Sequence, residues 1–63
     1  MSKVREIREK QGLRQLDLAK LADVSLTWIW VLENSLSGRV SREIKQRVAN
    51  VLDCTYEELF SNQ

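Results

Sequence analysis

The side chains of this 63-residue chain that could perform covalent or metal chemistry are few, and their types restrict its function. There is no histidine, and the single cysteine, Cys54, cannot form an internal disulfide. A metal cluster and a histidine-based catalytic site both need residues that are missing, and no nucleophile is paired with a base in the sequence. We therefore expect neither an enzyme nor a bound metal or other cofactor. The lone thiol suits a reducing cytoplasm.

Basic side chains remain as candidate binding groups, and they are concentrated in the first two thirds of the chain. The net charge is +2 over residues 1–12, +1 over residues 13–42 and −2 over residues 43–63. This gradient would turn the first two thirds towards a polyanion such as nucleic acid. A mixed-charge solvated surface would look similar, so charge alone does not decide. No apolar run approaches the roughly 18 residues of a membrane span, and we expect no membrane partner.

The stretch 13–33 predicts the elements that would position such groups, namely two short helices joined by a turn of three residues. Ala19 and Ala22 are small where two helices must approach closely. Asp23 occupies the turn, where we expect a positive φ, and Ser25 can cap the next helix. This combination is a helix-turn-helix, a unit whose second helix can lie in the DNA major groove.

Five short helices are predicted in all, so the fold class is all-α, a compact bundle formed by a single domain over residues 1–63. The helix-turn-helix occupies about residues 15–34. Ser2 and Ser41 can cap the first and fourth helices, and Thr55 with Glu58 forms a capping box for the fifth. Gly12 stands where the first helix should end. The first three helices are expected at about residues 3–11, 15–22 and 26–34.

The third helix can be oriented from its periodicity of about 100° per residue. With Ile29 and Leu32 facing the core, Thr27 and Val31 point directly outward. A surface position of this kind tolerates most substitutions within about 0.5 kcal/mol. We therefore expect Val31→Glu to leave the stability of the fold nearly unchanged.

Trp28 and Trp30 lie on opposite flanks of the same helix, and three interpretations of them stay open. Apolar groups can contact thymine methyls in the major groove. Exposed aromatic side chains are also typical of protein interfaces. Alternatively, one or both rings could fold onto the neighbouring helices and fill a small core.

An ordered set of residues extends from the end of the first helix to the fifth: Gly12-Leu13-x-Gln15-x-x-Leu18-Ala19, Val24-Ser25, Ile29-x-x-Leu32-Glu33 and Val48-Ala49-x-x-Leu52-x-Cys54-Thr55-x-Glu57-Glu58-Leu59-Phe60. It resembles the Xre-type, lambda-repressor-like helix-turn-helix family, which includes the Cro and repressor proteins of lambdoid phages. The resemblance covers nearly the whole chain. It implies a DNA-binding domain, although some relatives serve as protein-interaction or antitoxin modules.

The resemblance also implies which side chains would meet DNA. Positions that contact backbone phosphates in relatives are held here by Gln15, Asn34, Arg39 and Arg42, and Arg14 could add another contact. Positions that read base edges are held by Leu26, Thr27, Trp28 and Val31. Relatives usually carry Gln, Arg, Ser or Thr at these base-reading positions, so the apolar residues are a departure. An amide beside a helix N-terminus suits an anion, which supports a phosphate contact by Gln15.

Three structural expectations follow from the same resemblance. Relatives link an Arg on the first helix to a Glu ending the third, here Arg8 and Glu33, and both flank the inward stripes of their helices. We expect a partly buried ion pair. Arg14 replaces the Ser or Thr that caps the second helix in relatives, at a cost of about 1 kcal/mol. Cys54 stands where relatives bury a small aliphatic side chain, so we expect a buried structural thiol.

The function predicted from these features is that of a cytoplasmic transcriptional regulator that binds double-stranded DNA, with recognition helix 26–34 in the major groove. Its site would be a palindromic operator bound by a homodimer. The dimer would form through the end of the bundle that carries Tyr56 and Phe60, or only on DNA. The alternative is a protein-interaction or antitoxin-like module of the same fold, which would use the apolar face with Trp28 and Trp30.

Overall fold

The computed structural model describes residues 3–34 and 37–60, and in these ranges it contains five α-helices, one short 3-10 turn and no strand. The helices are α1 (Lys3–Lys10), α2 (Gln15–Ala22), α3 (Leu26–Glu33), α4 (Arg42–Val51) and α5 (Tyr56–Phe60), and the 3-10 turn spans Ser37–Arg39. The all-α prediction is confirmed. The 3-10 turn lies between α3 and α4, where no helix was predicted.

Three of the helices end in the same way, with one residue in the left-handed conformation. These residues are Gly12 at φ 73° and Asp23 and Asp53, each at φ 58°. The residue that follows each of them donates its backbone N–H to the carbonyl five residues earlier: Leu13 to Arg8, Val24 to Ala19 and Cys54 to Ala49. This pairing stops a helix and turns the chain sharply. The expected positive φ at Asp23 is therefore present, and Asp53 adopts it as well.

Side-chain caps begin three of the helices. The hydroxyl of Ser25 accepts a hydrogen bond from the Trp28 N–H, and that of Ser41 accepts one from the Ile44 N–H, both at 3.3 Å. At α5 the Thr55 hydroxyl accepts from the Glu58 N–H at 3.1 Å, and the Glu58 carboxylate accepts from the Thr55 N–H at 2.7 Å. These caps agree with the sequence analysis. The expected cap at Ser2 lies outside the described residues.

A single apolar core joins the helices. In it α2 packs on α3 and α4, α1 packs on α3 and α5, and α4 packs on α5. The small side chains Ala19 and Ala22 are 3% and 4% exposed, as a close approach of helices requires. The other buried apolar residues are Val4, Leu18, Ile29, Leu32, Val40, Val48, Ala49, Leu52, Leu59 and Phe60. None of the described helices is long and apolar enough to cross a membrane.

The end of the bundle formed by α4 and α5 differs from the expected dimer surface. Phe60 is only 5% exposed, and Tyr56 is half-buried with its ring centroid 5.1 Å from that of Phe60. Both rings pack within the chain, where Phe60 and the neighbouring Leu59 close the core from α5. Cys54 is half-buried beside them, and burial raises the pKa of its thiol. Phe60 therefore offers little surface to a second copy of the chain.

Candidate nucleic-acid interface

Helix α3 presents a long exposed face that carries no charge. Ile29 and Leu32 are 0% and 3% exposed and fix the opposite face against the core. The only charged residue of the helix, Glu33, is 4% exposed and points away from solvent. The exposed positions on α3 are Leu26, Thr27, Trp28 and Trp30.

Neither tryptophan is part of the core. Trp28 is 37% exposed and lines a cleft between the start of α3 and the start of α4, with Ile44 on the far side. Trp30 is 52% exposed and lies one helical turn from Leu26, which is 45% exposed. Neither ring belongs to the buried core, and Trp30 is largely open to a partner, whereas most of the Trp28 surface is covered in the cleft beside α4.

The helical angle of Val31 predicted that this side chain points directly outward, but the structure differs. It is half-buried and packs against the apolar core. The 3-10 turn contacts α3, and the chain then places Val40 in the core at 5% exposure. The helical periodicity of α3 could not predict the burial of Val31, because periodicity carries no information on how other segments pack against the helix. Val31→Glu must therefore cost stability.

A buried carboxylate at the end of α3 joins three helices. Glu33 Oε2 accepts from Arg8 Nε at 2.6 Å, and Glu33 Oε1 accepts from Arg8 Nη2 at 3.0 Å. The same Oε1 accepts from Gln15 Nε2 at 3.0 Å and from Arg5 Nε at 3.2 Å. Burial opposes ionisation, but the hydrogen bonds from Arg8, Gln15 and Arg5 outweigh it and hold the pKa of Glu33 below its ordinary value. The structure thus brings Arg8 and Glu33 together and adds two further donors.

At the N-terminus of α2, Asp17 compensates for the missing Ser or Thr cap. The Asp17 carboxylate accepts from the Arg14 backbone N–H at 2.9 Å and from Arg14 Nε at 3.0 Å. Hydrogen bonds from the Arg14 side chain and backbone lower the pKa of Asp17 to about 2. Arg14 therefore carries its own counter-ion, and its charge is largely cancelled at this end of the helix.

The other residues expected at phosphates differ in how far they are engaged. Asn34 Nδ2 donates to the Trp30 carbonyl at 2.7 Å, which caps the end of α3. The Arg42 guanidinium lies 4.2 Å from the centroid of the Tyr56 ring, next to α5. Arg39 is exposed and makes no ion pair or side-chain hydrogen bond within residues 3–34 and 37–60.

Two of the five expected phosphate contacts lie near the end of α3: Gln15 donates to Glu33, and Asn34 follows Glu33 in the chain. Arg42 lies against α5 instead. Arg5 also donates to Glu33, and the sequence analysis did not predict it near this site. Its only sequence signal is its place one turn before Arg8, which puts both on one side of α1.

Comparison with known proteins identifies the family. Residues 2–60 match the family model for a helix-turn-helix domain. No curated protein and no solved structure is significantly similar to the chain. Domains of this family are in general DNA-binding and typically non-enzymatic. Because the match extends over nearly all of the chain, the protein belongs to the helix-turn-helix domain family, a family of Xre and lambda-repressor-like domains.

Proposed function

We propose that the protein is a sequence-specific transcriptional regulator that inserts α3 into the DNA major groove. The observation that carries this proposal is the exposed, uncharged face of α3, fixed from behind by Ile29 and Leu32. A face without carboxylates approaches acceptor-rich base edges and phosphates without repulsion, and it loses little hydration in doing so. The groove of B-DNA is wide enough to admit one helix.

The chemistry of this face indicates which bases it reads. Thr27 offers a hydroxyl that can donate to or accept from a base edge. Leu26 and Trp28 offer apolar surface, and Val31, which is half-buried, offers the exposed part of its side chain. Apolar side chains contact the C5-methyl of thymine. The operator half-site should therefore contain thymines at the positions opposite α3.

Phosphate contacts on the flanks would hold the helix in register. Gln15 and Asn34 each keep a second amide N–H for a phosphate oxygen, and Arg39 brings a charge with no partner in the described residues. Arg14 and Arg42 would first have to weaken their contacts with Asp17 and Tyr56. We therefore assign Arg39 the largest share of the salt-dependent affinity among these residues, and Arg14 and Arg42 the smallest.

A palindromic operator would be bound by two copies, in the cytoplasm. Half-sites for such domains lie about 34–36 Å apart, one turn of DNA. Since Phe60 is buried, we propose that the homodimer forms only when both copies occupy the operator.

Selection of bound sequences from a random DNA pool at two salt concentrations tests the proposal. A regulator enriches a thymine-containing palindrome, and raising the salt weakens binding without changing the enriched sequence. Thr27→Ala should relax the preference at one base pair of each half-site. Equal weak binding to every sequence would contradict the proposal.

One observation favours a second function, that of a protein-interaction module. Trp30 and Leu26 form an exposed apolar stripe, with Trp30 at 52% exposure and no charged neighbour on α3. Aromatic side chains of this kind are enriched at protein interfaces. If Trp30→Ala abolishes a protein complex while DNA selection enriches nothing, this second function is the correct one.

A further inference from the structure

Arg5 lies at the side of the candidate interface, although it is on α1 and outside the helix-turn-helix. Its Nε is 3.2 Å from Glu33 Oε1, and Gln15 Nε2 is 3.0 Å from that same oxygen. A shared acceptor makes the guanidinium of Arg5 and the amide of Gln15 close neighbours. Gln15 is also the first residue of α2. The contact therefore places a cation beside the start of the helix that precedes α3.

The guanidinium of Arg5 is only partly hydrogen-bonded within the protein. Glu33 supplies one negative charge, and it is already paired with Arg8 through two hydrogen bonds in a buried position. Arg5 makes one hydrogen bond to the carboxylate, and its side chain is 45% exposed. Its two Nη groups have no hydrogen-bond partner among the residues that the structure describes. Arg5 therefore keeps donors free for a further acceptor, although the exposed carboxylate of Glu9, 3.9 Å from Arg8 Nη2, offsets one positive charge of the cluster of Arg5, Arg8 and Glu33.

We propose that Arg5 and Gln15 bind one and the same phosphate of the DNA backbone, with Glu33 holding the two donors side by side. This rests on the proposed function. A guanidinium fork matches two phosphate oxygens, and a neighbouring amide N–H supplies a further donor. The first N–H groups of the eight-residue helix α2 and its dipole favour an anion at the same point. Glu33 is a positioning residue because it fixes both donors without touching DNA.

The first test removes the charge of Arg5 and measures the salt dependence of binding to the selected operator. Arg5→Gln should weaken binding about tenfold at low salt and lower the slope of log Kd against log salt by about 0.9. Arg5→Lys should retain the slope because it retains the charge. Lys45→Gln is the matched control: it makes the same change in charge where α4 meets α5, with Lys45 Nζ 5.4 Å from the Phe60 ring centroid.

The second test is a double-mutant cycle that asks whether the two donors share a phosphate. Arg5→Gln and Gln15→Ala combined should lose less affinity than the two single losses predict, because one phosphate contact cannot be lost twice. Arg5→Gln combined with Arg39→Ala should show the full product of the two losses. Thermal melting shows whether each variant is folded. If Arg5→Gln does not fold, Arg5→Lys replaces it in the cycle, because it removes the guanidinium fork while retaining the charge.

The outcomes separate this inference from the proposed function. If wild-type protein selects an operator and Arg39→Ala lowers its salt slope, but Arg5→Gln behaves like Lys45→Gln, the regulator stands and the role of Arg5 is wrong. A changed base preference in Arg5→Gln, or full additivity with Gln15→Ala, also overturns it. If the wild type selects no sequence and shows no salt dependence, the proposed function fails and this inference with it.

Discussion

Replacing Arg8 by alanine should be among the most damaging single changes in this protein. The substitution removes the two hydrogen bonds that Arg8 donates to Glu33, which is 4% exposed. It also removes the one that Arg8 Nη1 donates to the Leu13 carbonyl. Breaking a buried ion pair from one side costs about 3–5 kcal/mol. Glu33 Oε1 keeps Arg5 and Gln15 as donors, whereas Oε2 loses the only donor that the described residues give it. We therefore expect the lower end, about 3 kcal/mol.

The measurement is thermal and urea unfolding at pH 7, followed by circular dichroism. A loss of about 3 kcal/mol lowers the melting temperature of so small a domain by roughly 12–24 °C. Arg47→Ala is the matched control, since Arg47 is also paired with carboxylates but its side chain is 43% exposed. The control should lose less than about 1 kcal/mol. An Arg8→Ala variant as stable as the control would refute the reasoning.

The dependence on pH gives a second readout of the same pair. The folded protein holds the pKa of Glu33 below its ordinary value of 4.5. The pair therefore contributes fully to stability above pH 4.5, and its contribution is lost as the pH falls through the depressed folded value. In Arg8→Ala this depression weakens, so the stability difference between wild type and variant should narrow below about pH 4. A gap that stays constant down to pH 2 would show that packing, and not charge, causes the loss.

The remaining predictions concern substitutions at four positions. Arg39→Ala should weaken binding to all DNA sequences alike and lower the salt slope by roughly one, and an altered base preference in the selection would contradict a phosphate role. Thr27→Glu should abolish DNA binding, and its free energy of unfolding should stay within about 0.5 kcal/mol of the wild-type value. Val31→Glu should abolish DNA binding as well and should also lower the free energy of unfolding by about 1–3 kcal/mol. Equal urea midpoints for Thr27→Glu and Val31→Glu would show that Val31 is not packed. Asp53→Gly should stabilise by about 0.5–1 kcal/mol because it relieves a left-handed backbone, whereas Asp53→Ala should destabilise, and equal signs would exclude this strain.

Much of the fold follows from local signals in the sequence. The caps at Ser25, Ser41 and Thr55 and the turn at Asp23 depend on residues within one helical turn of each other, so the sequence alone predicts the starts of α3, α4 and α5. The left-handed residue that ends α4, Asp53, was not predicted. An aspartate tolerates this conformation without requiring it, so its presence carries a weaker signal than Gly12 does.

The candidate site depends more on contacts between distant parts of the chain, which local patterns do not encode. Val31 packs against a core that all five helices form. The contacts of Arg5 and Gln15 with Glu33 join residues 28 and 18 positions apart. Asn34 turns back to the Trp30 carbonyl, a local contact that competes with an outward orientation. Sequence reasoning therefore identifies which residues lie near α3 more readily than which of their groups remain open.

The placement of the two tryptophans has a practical consequence for spectroscopy. Trp28 and Trp30 are the only tryptophans of the chain, and both are exposed on α3, on opposite flanks. The indole emission of Trp30 should therefore change less on unfolding than that of Trp28, most of whose surface is covered in the folded state. Both emissions should change when a partner covers α3. Trp28→Phe and Trp30→Phe would each leave one fluorophore, so that quenching can be assigned to one flank. The chain thus carries a built-in optical reporter that distinguishes which side of α3 a DNA duplex or a protein touches first.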